Sequence, residues 1–189
     1  MGNSRVREVT MKVLVLGIGN VMFSDEGIGV HLCHLIEEKY KFNSKEHSID
    51  FIDGGTLAER LIPIISQYDY LIVFDCVDAN DGEIGDVYFF DFENVPDSIS
   101  FQGSAHEVEM LQTLNMMDMI GDRPPTKIVG IIPKVVNETT LSLTDDVKKG
   151  SELMEKIFLK HIKELGFEYK IKKDLDVQSV ANRACAQYR

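Results

Sequence analysis

Four side chains carry the chemistry that the sequence offers: Glu26, Asp75, His106 and Asp53. Two carboxylates cancel the charge of a divalent cation, an imidazole nitrogen is a good donor for nickel or zinc, and three protein ligands leave a coordination position for water or substrate. Glu26, Asp75 and His106 fit that description as a ligand set. Asp53 is a fourth polar group, either a general base or a residue that orients a ligand or water. Each acid also has a plainer explanation. Glu26 stands where a helix dipole favours an acid by a few tenths to about 1 kcal/mol, and Asp53 can cap the Gly54-Gly55 turn. The remaining histidines offer less. His31 and His34 are spaced i, i+3, but His34 falls on the polar side of its helix and no third ligand accompanies the pair. His47 and His161 read as solvated. Cys76 adjoins Asp75 without an evident base, so it reads as a buried strand residue rather than a nucleophile.

These residues need elements that bring them together. Met11 to Leu16 is a short, continuous, β-branched run ending in Gly17, the pattern of a central strand buried on both faces. A helix fits 27–39, with Ile28, Leu32, Leu35 and Ile36 inward and His34, Glu37 and Glu38 outward. A strand at 49–53 stops at Gly54-Gly55-Thr56, a helix is expected over 57–66, and a third strand covers 70–75. Right-handed βαβ crossovers make these three strands parallel. Residues 78–85 leave no room for another crossover helix, so a strand at 86–92 must run antiparallel. A helix over 106–120 is expected to bury Val108, Leu111, Leu114 and Met119. A strand follows at 127–132, then a helix over about 144–165 with Val147, Leu153, Ile157, Phe158, Ile162 and Leu165 inward. The result is a three-layer α/β/α domain with an open, twisted, mostly parallel five-stranded sheet that includes one antiparallel strand. Residues 1–10 read as a polar extension, 11–170 as one domain and 171–189 as a C-terminal tail without a legible period.

In such sheets ligands bind beyond the carboxyl ends of the strands. Gly17-Ile-Gly-Asn20 with Asp25-Glu26, Asp53-Gly-Gly-Thr56, Asp75 and the segment Ser104-Ala-His106 all gather at that edge. The glycine turn suggests a nucleotide, but Met22 stands where the dinucleotide fingerprint requires its third glycine, and no Walker pattern is present. Composition narrows the partners further. Lys plus Arg number 20 against 31 Asp plus Glu, a net charge of −11, and without a basic cluster nucleic acid is a poor partner. No apolar run reaches the roughly 18 residues of a membrane span. The spacing of Cys33, Cys76 and Cys185 suits neither a disulfide framework nor a CxxC zinc site. A cytoplasmic monomer is expected.

The run Val15-Leu-Gly-Ile-Gly-Asn20-Val-Met-Phe-Ser-Asp25-Glu26-Gly-Ile-Gly29-Val resembles the N-terminal signature of the nickel-iron hydrogenase maturation endopeptidases. So do Asp53-Gly-Gly-Thr56, the strand ending in Asp75, Ser104-Ala-His106-Glu107 and Val129-Gly-Ile-Ile-Pro133, in matching order over about residues 11–165. The resemblance implies a protease that removes a C-terminal extension from the precursor of a nickel-iron hydrogenase large subunit after nickel insertion. It assigns metal binding to Glu26, Asp75 and His106, with the nickel supplied by the substrate; cadmium or zinc would fit the same ligands in vitro. A nickel-delivering chaperone and a nucleotide-binding α/β module are the competing expectations.

Overall fold

The computed structural model describes residues 10–100 and 105–184, with side chains for all of these except 100 and 105–109. In chain order the strands are β1 Lys12–Ile18, β2 Tyr40–Asn43, β3 Ser48–Gly55, β4 Tyr70–Cys76, β5 Asp78–Ala79, β6 Val87–Asp91, β7 Ile99–Ser100, β8 Thr126–Ile131 and β9 Glu168–Ile171. The helices are α1 Ile28–Lys39, α2 Ile62–Ile65, α3 Ala105–Ile120, α4 Asp145–Glu164 and α5 Val177–Ala181. Five strands form the main sheet in the order β3-β1-β4-β8-β6. The β1–β3, β1–β4 and β4–β8 pairs are parallel, and β6 runs antiparallel to β8. Short two-stranded ladders join β2 to β9 and β5 to β7.

Alternation along each strand divides the interior into two cores. Val13 and Val15 of β1, Ile72 and Phe74 of β4 and Val129 and Ile131 of β8 face α1, α4 and α5. Leu14, Leu16, Leu71, Val73 and Ile128 face the opposite layer, with Leu61, Ile65, Met110, Leu114 and Met117 against them. Both sides of β1 are therefore dry, as a continuous apolar run predicts.

The glycines of the first motif are used for packing. A Cβ on Gly17 would stand 2.6 Å from the Gly29 carbonyl oxygen and 2.7 Å from the Cys33 Cβ. One on Gly29 would stand 2.3 Å from the carbonyl oxygens of both Ile18 and Phe74. Helix α1 thus rests on β1 and β4 at a distance that only glycine permits.

Several local expectations change. The helix expected over 57–66 is a 3₁₀ turn, Ala58–Leu61, followed by the four-residue α2. Pro63 lies in the first turn of α2, where its missing N–H costs nothing, and would break a helix running through it. Met119 is 88% exposed, because α3 presents Met110, Thr113, Leu114 and Met117 to the sheet. Residue 119 lies about 200° around the helix from 117. Leu153 is likewise exposed, Ile157 and Leu165 are half-buried, and α4 buries Met154, Glu155 and Leu159 instead. Glu155 accepts from the Tyr40 hydroxyl and pairs with Lys39 at 2.9 Å, tying the end of α1 to α4.

His161 is not solvated. Burial lowers its pKa, Nε2 lies 3.0 Å from the Tyr70 hydroxyl, and Phe89 packs edge-on to its ring. His47 is half-buried and accepts from the Met11 backbone N–H at 3.2 Å. The stretch after 166 also has structure. β9 pairs with β2, and Phe167, Val177, Val180 and Ala181 belong to the core beneath α1 and α4. Residues 1–9 and the site of Cys185 lie outside the described residues.

Replacing Gly29 with Ala should lower stability by about 1–3 kcal/mol, because the added methyl forces α1 off the sheet. A fall in the urea midpoint with the slope unchanged would register it.

Candidate active site

Glu26, Asp53 and Asp75 all reach the carboxyl edge of the sheet. Gly17 of β1 pairs with Asp53 on one flank and with Phe74 on the other, so the three strands end in step. Asp53 continues the row of Ile49 and Phe51, which pack on the α1 side. Asp75 continues the row of Val73 and Val77, on the α3 side. The two acids therefore face opposite layers, with Gly17 between their strands.

Asp75 is 8% exposed. Its Oδ1 accepts from the Cys76 backbone N–H at 2.8 Å. It lines a small apolar cleft with Val73, Val77, Met110, Leu111 and Leu114. His106 belongs to the first turn of α3, one helical turn before Met110. Its side chain and the whole of Ser104 lie outside the described residues. Among the described residues no three His, Cys, Asp or Glu side chains group as metal ligands.

Glu26 is 4% exposed and sits in a 3₁₀ turn, Ser24–Gly27, that leads directly into α1. Gly19, at φ +133°, makes the turn possible, since a Cβ there would overlap the Glu26 carbonyl oxygen at 1.9 Å. The space over this glycine turn is filled by backbone, where a nucleotide module needs room for a phosphate.

The preceding residue holds the turn in place. Asp25 has no exposed surface, and its carboxylate accepts from the backbone N–H groups of Lys134, Val135 and Thr144 and from the Thr144 hydroxyl, at 2.8–3.1 Å. Backbone bonds reinforce the link: Ser24 N–H donates to Thr140, Asp25 N–H to Val135 and Thr140 N–H to Met22. Ser24 adopts φ +48° within this lacing, and its hydroxyl donates to the Ser142 carbonyl at 2.7 Å. The Cys76 thiol donates to the Asp25 carbonyl at 3.3 Å and is 1% exposed, in keeping with a buried strand residue.

His34, set aside in the sequence as a polar-side residue, meets Asp53, with Nε2 3.2 Å from Oδ2. That hydrogen bond and the carboxylate charge raise the imidazole pKa despite partial burial. One turn earlier, His31 has no exposed surface, and neither ring nitrogen has a hydrogen-bond partner among the described residues. Its Nε2 lies 2.9 Å from where a Cβ on Gly27 would stand, so glycine makes room for the ring. Burial pushes its pKa down to about 4, with His34 acting in the same direction and Asp53 opposing. Cys33, between them, is fully buried, and burial drives its thiol pKa far up, so it is no nucleophile.

The family model for hydrogenase maturation proteases matches residues 30–161, about 70% of the chain. The chain belongs to the hydrogenase maturation protease family. It is accordingly an endopeptidase, a hydrolase of peptide bonds. The matched span contains Asp53, Asp75 and His106, and Glu26 lies four residues before it. Among relatives, the chain is 57% identical over 140 residues to protein HydD of Wolinella succinogenes, covering 74% of this chain and 87% of that protein. It is 28% identical over 159 residues to the hydrogenase 2 maturation protease of Escherichia coli, covering 84% and 94%. The structure of the hydrogenase maturating endopeptidase HybD from E. coli superposes with a TM-score of 0.72 at 26% identity, over 86% of this chain and 98% of that one. The family's sheet and helix layers are therefore those described above.

Two outcomes test the frame of the site. Asp25→Ala leaves three part-buried N–H groups without their acceptor, at about 1 kcal/mol each before relaxation, so a total loss of about 3 kcal/mol is expected in urea denaturation. For His31 the folded pKa lies below the unfolded one, so its contribution is complete above pH 6.5 and is lost as pH falls towards 4. Stability should drop through that window, and His31→Leu should flatten the drop.

Proposed function

We propose that this enzyme removes the C-terminal extension of a nickel-iron hydrogenase large-subunit precursor in the cytoplasm, after nickel has been inserted, and reads the substrate-borne nickel through Glu26, Asp75 and His106. The observation that carries this reading is the pair of nearly buried carboxylates, Glu26 in the 3₁₀ turn before α1 and Asp75 near the end of β4. Acids so withdrawn from water are costly unless a cation or hydrogen-bond donors compensate them. Residue 106, in the turn of α3 that precedes Met110, starts the helix whose next turn lines the cleft with Asp75. A set of two carboxylates and one imidazole suits nickel, and it also suits cadmium or zinc in vitro.

In this mechanism the three ligands hold the precursor by its metal and so fix the scissile bond against the strand edge, where positioning replaces a bimolecular encounter. Asp53 accepts a proton from the attacking water as its oxygen adds to the carbonyl carbon. The same proton then passes to the leaving amine as the C–N bond breaks.

A chaperone that only delivers nickel would share the ligand set and differ in cleaving nothing. Mass spectrometry of a large-subunit precursor incubated with the enzyme, with and without nickel, separates the two. Loss of a defined C-terminal peptide from the loaded precursor alone is expected. His106→Ala and Asp53→Asn should each slow that loss at least 100-fold, and wild-type rates in either variant would remove that residue from the mechanism.

A further inference from the structure

We propose that His34 is a positioning residue for Asp53, holding the carboxylate ionised and aimed, and thereby setting the acid limb of the enzyme's pH profile. This rests on the reading of Asp53 as the base. Asp53 stands near the end of β3, just before Gly54 and Gly55. Here one oxygen, Oδ2, is tied to His34 Nε2 at 3.2 Å, while Oδ1 lies over Gly55, 3.6 Å from where a Cβ would stand. His34 is itself well anchored. The neighbouring Cys33 thiol approaches the carbonyl oxygens of Val15 and Ile52 at 3.7 and 3.6 Å, and the contact between Gly17 and Gly29 sets the depth of α1.

Both partners are about one-quarter exposed, so water reaches the pair while the helix and strand hold it. Among the described residues, the charged and titratable groups around His34 are Asp53 on β3 and His31, Glu37 and Glu38 on α1, with Lys173 and Arg183 paired to Glu38 from the C-terminal segment. His31 stays neutral at working pH, because its pKa is about 4. The hydrogen bond to Asp53 and the charges of Asp53, Glu37 and Glu38 raise the imidazole pKa against the pull of burial, which favours the proton on His34 in the 3.2 Å contact. A proton on His34 Nε2 is donated to Asp53 Oδ2, and that contact favours the carboxylate form able to take the proton of water.

His34→Gln keeps an N–H donor at the same reach and removes the charge, and His34→Ala removes both. Both sit at a half-buried helix position, and circular dichroism with a urea midpoint would establish that they fold. In a precursor cleavage assay across pH 4–9, His34→Gln should retain kcat within about threefold on the plateau, with KM unchanged. Its acid limb should move up by about one pH unit or less, as expected when a partly exposed cation is lost. His34→Ala should show the same shift and a further loss of kcat from the released rotamer. By NMR, the His34 imidazole should titrate above 6.5 in the wild type and fall towards 6.5 in Asp53→Asn, a measurement that needs no substrate.

An acid limb unmoved in both variants would overturn the proposal while leaving Asp53 as the base. Loss of activity in His34→Gln as deep as in Asp53→Asn would overturn it in the other direction, by making His34 the base. Wild-type cleavage by Asp53→Asn would instead remove the earlier reading of Asp53, and this inference would fall with it.

Discussion

The site depends on one buried carboxylate. Asp25 lies where the first strand has ended and the first helix has not begun, and it gathers donors from residues 134, 135 and 144, more than 100 positions away. A carboxylate withdrawn from water must be compensated almost completely, and hydrogen bonds to an ionised acceptor are roughly twice as strong as neutral ones. Three of the four donors here are backbone N–H groups, so the constraint fixes the path of the chain as well as its side chains. The loop after β8 and the start of α4 are held against the turn that presents Glu26. Thr144, the residue before α4, spends its hydroxyl on Asp25 rather than on capping its own helix. The geometry of Glu26 is thereby coupled to the far end of the domain.

A second constraint is steric. Gly17, Gly19, Gly27 and Gly29 look in sequence like a phosphate-binding turn, yet each faces protein within van der Waals range. They allow α1 to press against β1 and β4, allow the Glu26 carbonyl to nest over Gly19, and allow His31 to lie beneath Gly27. The same close approach brings His34 to Asp53. A helix one side-chain diameter farther out would leave that hydrogen bond unmade, so the glycine pattern and the acid–base pair are two expressions of one packing distance.

Much of the fold was legible because its signals are local. Doubly apolar runs marked β1, β4 and β8, and the short connection over 78–85 excluded a crossover and forced the antiparallel strand. The gathering of Glu26, Asp53 and Asp75 at one edge followed from parallel strands alone. What the sequence concealed is non-local or a matter of phase. Nothing near Asp25 announces partners in another loop. His34 reads as a polar-face residue because helical period separates inward from outward but does not show that the outward rim meets a strand end. Met119 and Leu153 are apolar residues at the wrong angle on their helices, and period alone assigned them to the core. Residues 168–181 carry too short a pattern to be read, and they find their place only against β2 and α1.

The two faces of the strand edge explain why Asp53 and Asp75 can have different work. Carboxylates that share one pocket couple their protons, and one of the two is driven towards the neutral acid. Here β1 separates them, Asp75 facing α3 and Asp53 facing α1, each with its own partners. Under the proposed mechanism Asp75 must stay charged to meet a cation, while Asp53 must gain and lose a proton in each turnover. Placed side by side they would perturb each other with every proton moved. In that proposal their separation would let the ligand set meet a metal without titrating the base, and let His34 act on the base without weakening the ligands. β1 lies between β3 and β4, with Gly17 paired to Asp53 on one flank and to Phe74, the residue before Asp75, on the other, so the two acids stand at one edge of the sheet while facing different layers.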